Sequence, residues 1–139
     1  MAVVFTYGSL MFDEVWSRVV AGQYQSVPAQ LSGYRRLAVK GYDFPGVIAD
    51  VNGKYTVDGL VYFDVANKDL QRLDDFEGQL YQRVGVSVES DCGAIEVDTY
   101  LFCQQYYDLL ADWDWCVEHF SRVGLQRFLN RYDGFEVLS

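Results

Sequence analysis

The sequence predicts an α+β fold, with a small closed or barrel-like mixed β-sheet and flanking helices. Three observations carry this. Segments rich in β-formers crowd the middle of the chain. Helical patterns are inserted among them or follow them. Strand–helix–strand alternation, which a doubly wound parallel sheet requires, is scarce.

The elements follow in order. "AVVFTY", residues 2–7, is a short apolar run that ends at Gly8-Ser9 and reads as a strand. "FDEVWSRVVAG", residues 12–22, reads as a short helix capped by Asp13 and stopped by Gly22. Residues 26–39 are mixed and read as extended chain. "FPGVIADVNGKYTVDGLVYFDV", residues 44–65, reads as two strands joined at Asn52-Gly53, a strong hairpin signal. "ANKDLQRLDDFEG", residues 66–78, reads as one helix, with Asn67 as its cap and Gly78 in the left-handed position past its end. "YQRVGVSVES" alternates at Val84, Val86 and Val88, as a half-buried strand does, and "AIEVDTYLFC" is another strand. "DWDWCVEHFSRVGLQRFLNRY", residues 112–132, reads as helix broken near Gly124. Trp113, Val117, Phe120 and Phe128 would give it a core-facing stripe.

Composition narrows the function. The 139 residues suit a single domain, 1–139. Half are hydrophobic and 17% aromatic, enough for a packed core, which excludes disorder. The net charge is −9, and no Lys or Arg occurs between Arg83 and Arg122. Such a surface repels phosphates and anionic lipid, so neither nucleic acid nor membrane is expected as a partner. "MAVVFTYGSL" lacks the basic start of a signal peptide, and no run reaches a membrane span. A soluble, cytoplasmic protein is expected. Three cysteines at long spacings give neither a disulfide framework nor a CxxC motif. Cys116 and His119 form a C-x-x-H pair, but a zinc site needs about four such ligands. No metal or cofactor is expected, and the oligomeric state stays open.

The chemistry is sought in "LDDFEG", residues 73–78, where Asp74, Asp75 and Glu77 stand close together. At about 100° per residue, with Leu70 at zero, Leu73 falls near 300° and Glu77 near 340°. Asp74 falls near 40°, on the edge, and Asp75 near 140°, on the far side. Glu77 is therefore aimed inward at the last turn. Burial, Asp74 and the negative helix end all raise its pKa toward the range useful for acid–base work near neutrality. A structural carboxylate, hydrogen-bonded to backbone or to Arg83, fits the same position. Helix geometry leaves both roles open.

"YGSL", residues 7–10, follows the first strand directly. Such a turn can present successive N–H groups to an anion or an oxyanion. It is neither a Walker loop nor a nucleophile elbow, because the Lys of one and the G-x-S-x-G of the other are missing.

Taken in order, these pieces resemble the γ-glutamylcyclotransferase-like superfamily, in particular its avirulence-induced-gene-like and γ-glutamylamine cyclotransferase branch. "VFTYGSL", "FPGVI", "VDGLVYFDV", "LDDFEGQLYQRVGVSV" and the Trp-bearing tail all match its pattern. The resemblance implies a small closed sheet with a cavity. It assigns acid–base catalysis to Glu77 and substrate binding to Tyr7, Gly8, Ser9 and Leu10. It implies cyclisation of a γ-glutamyl amine or γ-glutamyl amino acid to 5-oxoproline, with release of the amine. The substrate's own α-amine attacks, so no enzyme nucleophile, metal or cofactor is called for. Tyr81 and Tyr100 are further candidates to line the cavity. The alternatives are a non-catalytic small-molecule binding module of the same fold, and an interaction protein using Trp113, Trp115 and Phe120.

Overall fold

A computed structural model describes residues 1–130. Eight strands are present among them: β1 (Ala2–Thr6), β2 (Ser26–Ser32), β3 (Tyr34–Val39), β4 (Pro45–Ala49), β5 (Thr56–Val65), β6 (Tyr81–Ser90), β7 (Gly93–Phe102) and β8 (Leu110–Asp114). Helix α1 (Asp13–Val19) follows β1, α2 (Asn67–Glu77) joins β5 to β6, and α3 starts at Val117–His119. Five strands close a barrel in the order β1-β5-β2-β6-β7, and β7 returns to β1 in parallel at Val4↔Asp98. The other three form a small antiparallel sheet, β4-β3-β8. This is the mixed α+β barrel that the strand-rich middle predicts.

Alternation along each strand sorts its residues between two cores. Phe5, Leu31, Val57, Val61, Val88 and Val97 pack together as one. Their neighbours Val4 and Tyr62 pack the other way, against Val15, Trp16 and Val19 of α1 and Leu73 of α2. Phe120 and Phe128 of the C-terminal helix complete that second core. Each of these large side chains is worth about 1.5–3 kcal/mol when fully buried. No helix among the described residues is long and apolar enough to cross a membrane.

Several local expectations change. Asp13 is the first helical residue of α1 rather than its cap; Phe12 occupies the cap without a side-chain bond. Asp13 and Glu14 still favour the positive end of the helix from its first turn. The helix ends at Val19, not at Gly22, whose N–H is instead taken by Asp69. Asn67 likewise begins α2 without capping it, with Ala66 at the cap position.

The Asn52-Gly53 turn exists, with Gly53 at φ 64°, yet it does not make a hairpin. Strand β4 pairs with β3, while β5 pairs with β1 and β2. The Asp50 carboxylate accepts from the N–H groups of Asn52, Lys54 and Tyr55, which builds a wider turn and lets the strands part.

The largest change is at residues 112–114, which continue β8 instead of starting a helix. The edge of β3 captures them: Leu37 pairs with Asp114, and the Trp115 N–H donates to the Arg36 carbonyl. Trp113 is therefore 60% exposed, and Trp115 takes the buried place. Cys116 caps α3 by accepting the His119 N–H on its sulfur, which is the use the structure makes of the C-x-x-H pair. The break near Gly124 is a π turn over Phe120–Gly124, after which the helix continues through residues 125–130. Arg131 and Tyr132, the end of the expected helix, lie outside the described residues.

Candidate active site

Helix α2 reaches the barrel with Leu73 fully buried beneath it. Asp75 faces out and accepts from Gln71, one turn back, at 3.1 Å. Glu77 is the last helical residue. Gly78 follows at φ 71°, a conformation open to glycine, and its N–H closes on the Asp74 carbonyl. The chain turns away there, and Glu77 is left lining a recess.

The opposite wall is the end of β1. Tyr7, Gly8, Ser9 and Leu10 all line the same recess as Glu77, together with Phe44, Pro45, Tyr81 and Tyr100. The five residues singled out in sequence thus meet in space. The recess is open to solvent and small, with a cavity volume of about 20 Å³, room for about one water. A 3-10 turn at Ser9–Met11 sets the loop, its first bonds running from the Met11 and Phe12 N–H groups back to the Gly8 and Ser9 carbonyls. The Ser9 and Leu10 amides have no backbone acceptor among the described residues. Pro45 packs on Gly8 so closely that a Cβ there would lie 2.7 Å from the proline ring. The FPG and YGS segments therefore act as one piece.

Arg83 does not reach Glu77. Its Nε donates to Asp74 at 3.0 Å and its Nη1 to Asp98 at 3.2 Å. Tyr100 also donates to Asp74, at 2.6 Å. The structural reading of Glu77 as a partner of Arg83 is thereby overturned. Asp74 fills that role.

Three phenols surround the recess, and each gives its proton elsewhere. Tyr7 donates to the Tyr100 carbonyl, Tyr81 to the Pro45 carbonyl, and Tyr100 to Asp74. No donor among the described residues bonds the Glu77 carboxylate, and the residue is half-buried. Burial pushes the Glu77 carboxyl up to about 8, and the nearby Asp74 charge adds to this. Burial and the Glu77 charge also raise Tyr7 well above the ordinary phenol range.

Arg36 is a site residue that sequence reasoning missed. Its Nη1 donates to the Tyr7 carbonyl at 2.7 Å and to the Asp58 carbonyl at 3.1 Å. Its guanidinium lies 5.2 Å from the centre of the Trp115 ring. Burial lowers its pKa. It holds the loop from behind and so fixes where the Ser9 and Leu10 amides point. The available signal was alternation on β3, which separates Arg36 from its neighbour Arg35. Among the described residues no group of His, Cys, Asp and Glu could hold a metal ion.

A profile of the family described as "Gamma-glutamyl cyclotransferase, AIG2-like" matches residues 4–117. The chain belongs to this family. The matched span contains every residue that lines the recess. AIG2-like protein D of Arabidopsis thaliana is 32% identical over 133 residues, covering 93% of this chain and 85% of that protein. A solution structure from Arabidopsis thaliana superposes with a TM-score of 0.69 at 27% identity, over 94% of this chain and 87% of that one. A solved γ-glutamyl cyclotransferase superposes with a TM-score of 0.64 at 18% identity, over 78% of this chain and 75% of that one, a likeness of fold. As an AIG2-like protein, the chain combines this barrel with an acid in its recess that pairs with no base among the described residues.

Proposed function

We propose that the protein is a γ-glutamyl cyclotransferase acting in the cytoplasm on a γ-glutamyl amine or γ-glutamyl amino acid. One observation carries this reading: Glu77 ends α2 in a recess that Ser9 and Leu10 also line, and among the described residues neither its carboxylate nor their two amides has a hydrogen-bond partner. The family match supports the reaction class. The three cysteines are free thiols, as suits a reducing compartment.

The substrate's α-carboxylate or its γ-carbonyl oxygen accepts from the Ser9 and Leu10 N–H groups. The chain folds so that the α-amine faces the γ-carbonyl carbon. Glu77, as carboxylate, takes a proton from the α-ammonium. The freed lone pair forms the new C–N bond, and a five-membered ring closes. The γ-amide C–N bond then breaks as Glu77 returns this proton to the leaving nitrogen. The ring nitrogen, which still carries one hydrogen too many after its attack, gives that second proton through Glu77 to the released amine. Atoms and charge balance with 5-oxoproline and the protonated amine as products. A carboxyl near 8 suits both halves, because the reference pKa of an α-amine is about 7.7–8.0. Holding amine and carbonyl in contact supplies several kcal/mol of the barrier, about the scale of intramolecular reactions.

The test is incubation with a panel of γ-glutamyl amines and amino acids, with 5-oxoproline as the readout. The wild type should form it, and Glu77→Gln should lose about 10²–10⁴ in rate. Binding without product would instead return the protein to the non-catalytic binding module.

A further inference from the structure

A second groove lies apart from the recess and shares none of its lining residues. It is formed by α1 and the loop after it with strands β2 and β5. It is open to solvent, with a cavity volume of about 540 Å³, within the range of small-molecule sites. One wall is pinned in place: the Asp69 carboxylate accepts from the Ala21 and Gly22 N–H groups and from the Tyr24 hydroxyl. The floor holds Trp16, stacked on Tyr62 with ring centres 3.7 Å apart and met edge-on by Tyr24. Trp16 and Tyr62 are only 5% and 7% exposed. Neither the Trp16 indole N–H nor the Tyr62 hydroxyl has a hydrogen-bond partner among the described residues, yet neither atom is sealed from solvent. Burial and then the Asp13 charge raise the Tyr62 phenol, so at neutral pH it keeps its proton and stays a donor. The floor thus presents two unmet donors. The exposed rim presents acceptors, the Asp13 carboxylate and the Ser17 hydroxyl, whose own proton goes to the Asp13 carbonyl. None of the lining residues is Lys, Arg or His.

These groups decide what the groove can take. An anion meets no base there and faces Asp13. An apolar ligand strips water from the two donors and gives nothing back. An ammonium suits Asp13, but it is a donor itself and leaves the indole N–H unmet. A hydroxyl donates one hydrogen bond and accepts two, so a ring of hydroxyls serves floor and rim together. We propose that this groove binds a neutral carbohydrate of one or two rings, whose oxygens accept from Trp16 and Tyr62 and whose hydroxyls donate to Asp13. The site stands on the groove alone and holds whether or not the recess turns over a γ-glutamyl compound.

The experiment titrates the protein with glucose, maltose and trehalose and follows the indole N–H signals of its three tryptophans by NMR. The Trp16 signal is identified through its contacts with the Tyr62 and Tyr24 rings. At least one sugar should shift the Trp16 signal saturably, with a Kd of about 1–10 mM, and leave those of Trp113 and Trp115 in place. Tyr62→Phe and Asp13→Asn should each weaken that binding about fivefold. Glucuronate should bind about tenfold more weakly than the neutral sugar, because its charge faces Asp13. Tyr62→Phe removes one oxygen from a packed ring and Asp13→Asn lies at an exposed position, so loss of folding in one leaves the other as the test. No saturable shift with any of the three sugars, an unchanged affinity in either folded variant, or glucuronate binding as well as the neutral sugar would overturn the site. Glu77→Gln should leave the titration unchanged; loss of the shift there would put the sugar in the recess and overturn the groove equally.

Discussion

Arg83 bonds Asp74 at 3.0 Å, on the same turn of α2 that carries Glu77. Arg83 thus neutralises the edge carboxylate, and Glu77 stays unpaired among the described residues. Arg83→Met would leave the Asp74 charge facing Glu77 without compensation. The Glu77 carboxylate becomes harder to form, so its pKa rises further. The acidic limb of the kcat/KM profile should move up by about half to one pH unit. Both partners are about one-third exposed, so the stability loss in urea should be only about 1 kcal/mol. An unmoved limb would mean that Asp74 has no electrostatic hold on Glu77.

The pH profile itself is distinctive. The reacting pair needs Glu77 ionised and the substrate amine protonated. Burial and Asp74 place the Glu77 carboxyl at about 8, and the amine lies at about 7.7–8.0. Arg83 and the phenols of Tyr7, Tyr81 and Tyr100 keep fixed charge through this range. The kcat/KM profile should therefore be a narrow bell centred near pH 8. A broad plateau from about pH 5 upward would indicate an ordinary carboxyl and contradict the geometry.

The same shift makes Glu77 a stability liability. Its folded pKa lies above the unfolded value of 4.5. Between the two values the folded state holds a proton that the unfolded chain has lost, so stability falls as pH rises. With part of the penalty relieved by water in the recess, wild type should lose about 1–3 kcal/mol between pH 5 and 9 on this account. Glu77→Gln should remove that slope and be the more stable protein at pH 9. Parallel urea titrations at the two pH values check it.

Gly8 couples two segments that sequence reading treats apart. A methyl at this position meets the Pro45 ring at 2.7 Å. Gly8→Ala must push Pro45 and the loop apart, at about 1–3 kcal/mol, as overpacked sites do. Because the Ser9 and Leu10 amides move with the loop, KM should rise while the Glu77 limb of the pH profile stays in place.

What could be read from the sequence follows from what is local. Strand alternation and helix angle depend on neighbouring residues, so the barrel strands and the inward aim of Glu77 were legible. Partners set by long-range pairing were not. Asp112, Trp113 and Asp114 carry no strong strand signal, and the edge of β3 imposes their conformation. The Asn52-Gly53 turn was visible, but which strands it serves is decided by β1, β2 and β3. Arg36 needed the loop behind which it sits. In Asp69 a local signal went unused. The helix angle places it near 260°, beside Leu73 on the inward face.

Asp69 gives the sharpest stability test. Its side chain is only 4% exposed. It accepts from the Ala21 and Gly22 N–H groups at 2.9 and 3.0 Å, from the Tyr24 hydroxyl and from Arg72. Burial alone would raise its pKa, but these four donors outweigh burial and hold it well below the usual carboxylate range. The bonds tie the end of α1 to the first turn of α2 and so brace the helix that carries Glu77. Asp69→Asn keeps the shape but loses the charge and turns one acceptor into a donor facing donors. It should cost about 2–4 kcal/mol at pH 7. A depressed folded pKa contributes stability above the unfolded value of about 3.9 and loses it as pH falls. The gap between wild type and variant should therefore be full at pH 7 and shrink steadily below about pH 4. A gap that is constant down to pH 2 would show that the cost is steric, and that the Asp69 charge plays no part in joining the two helices.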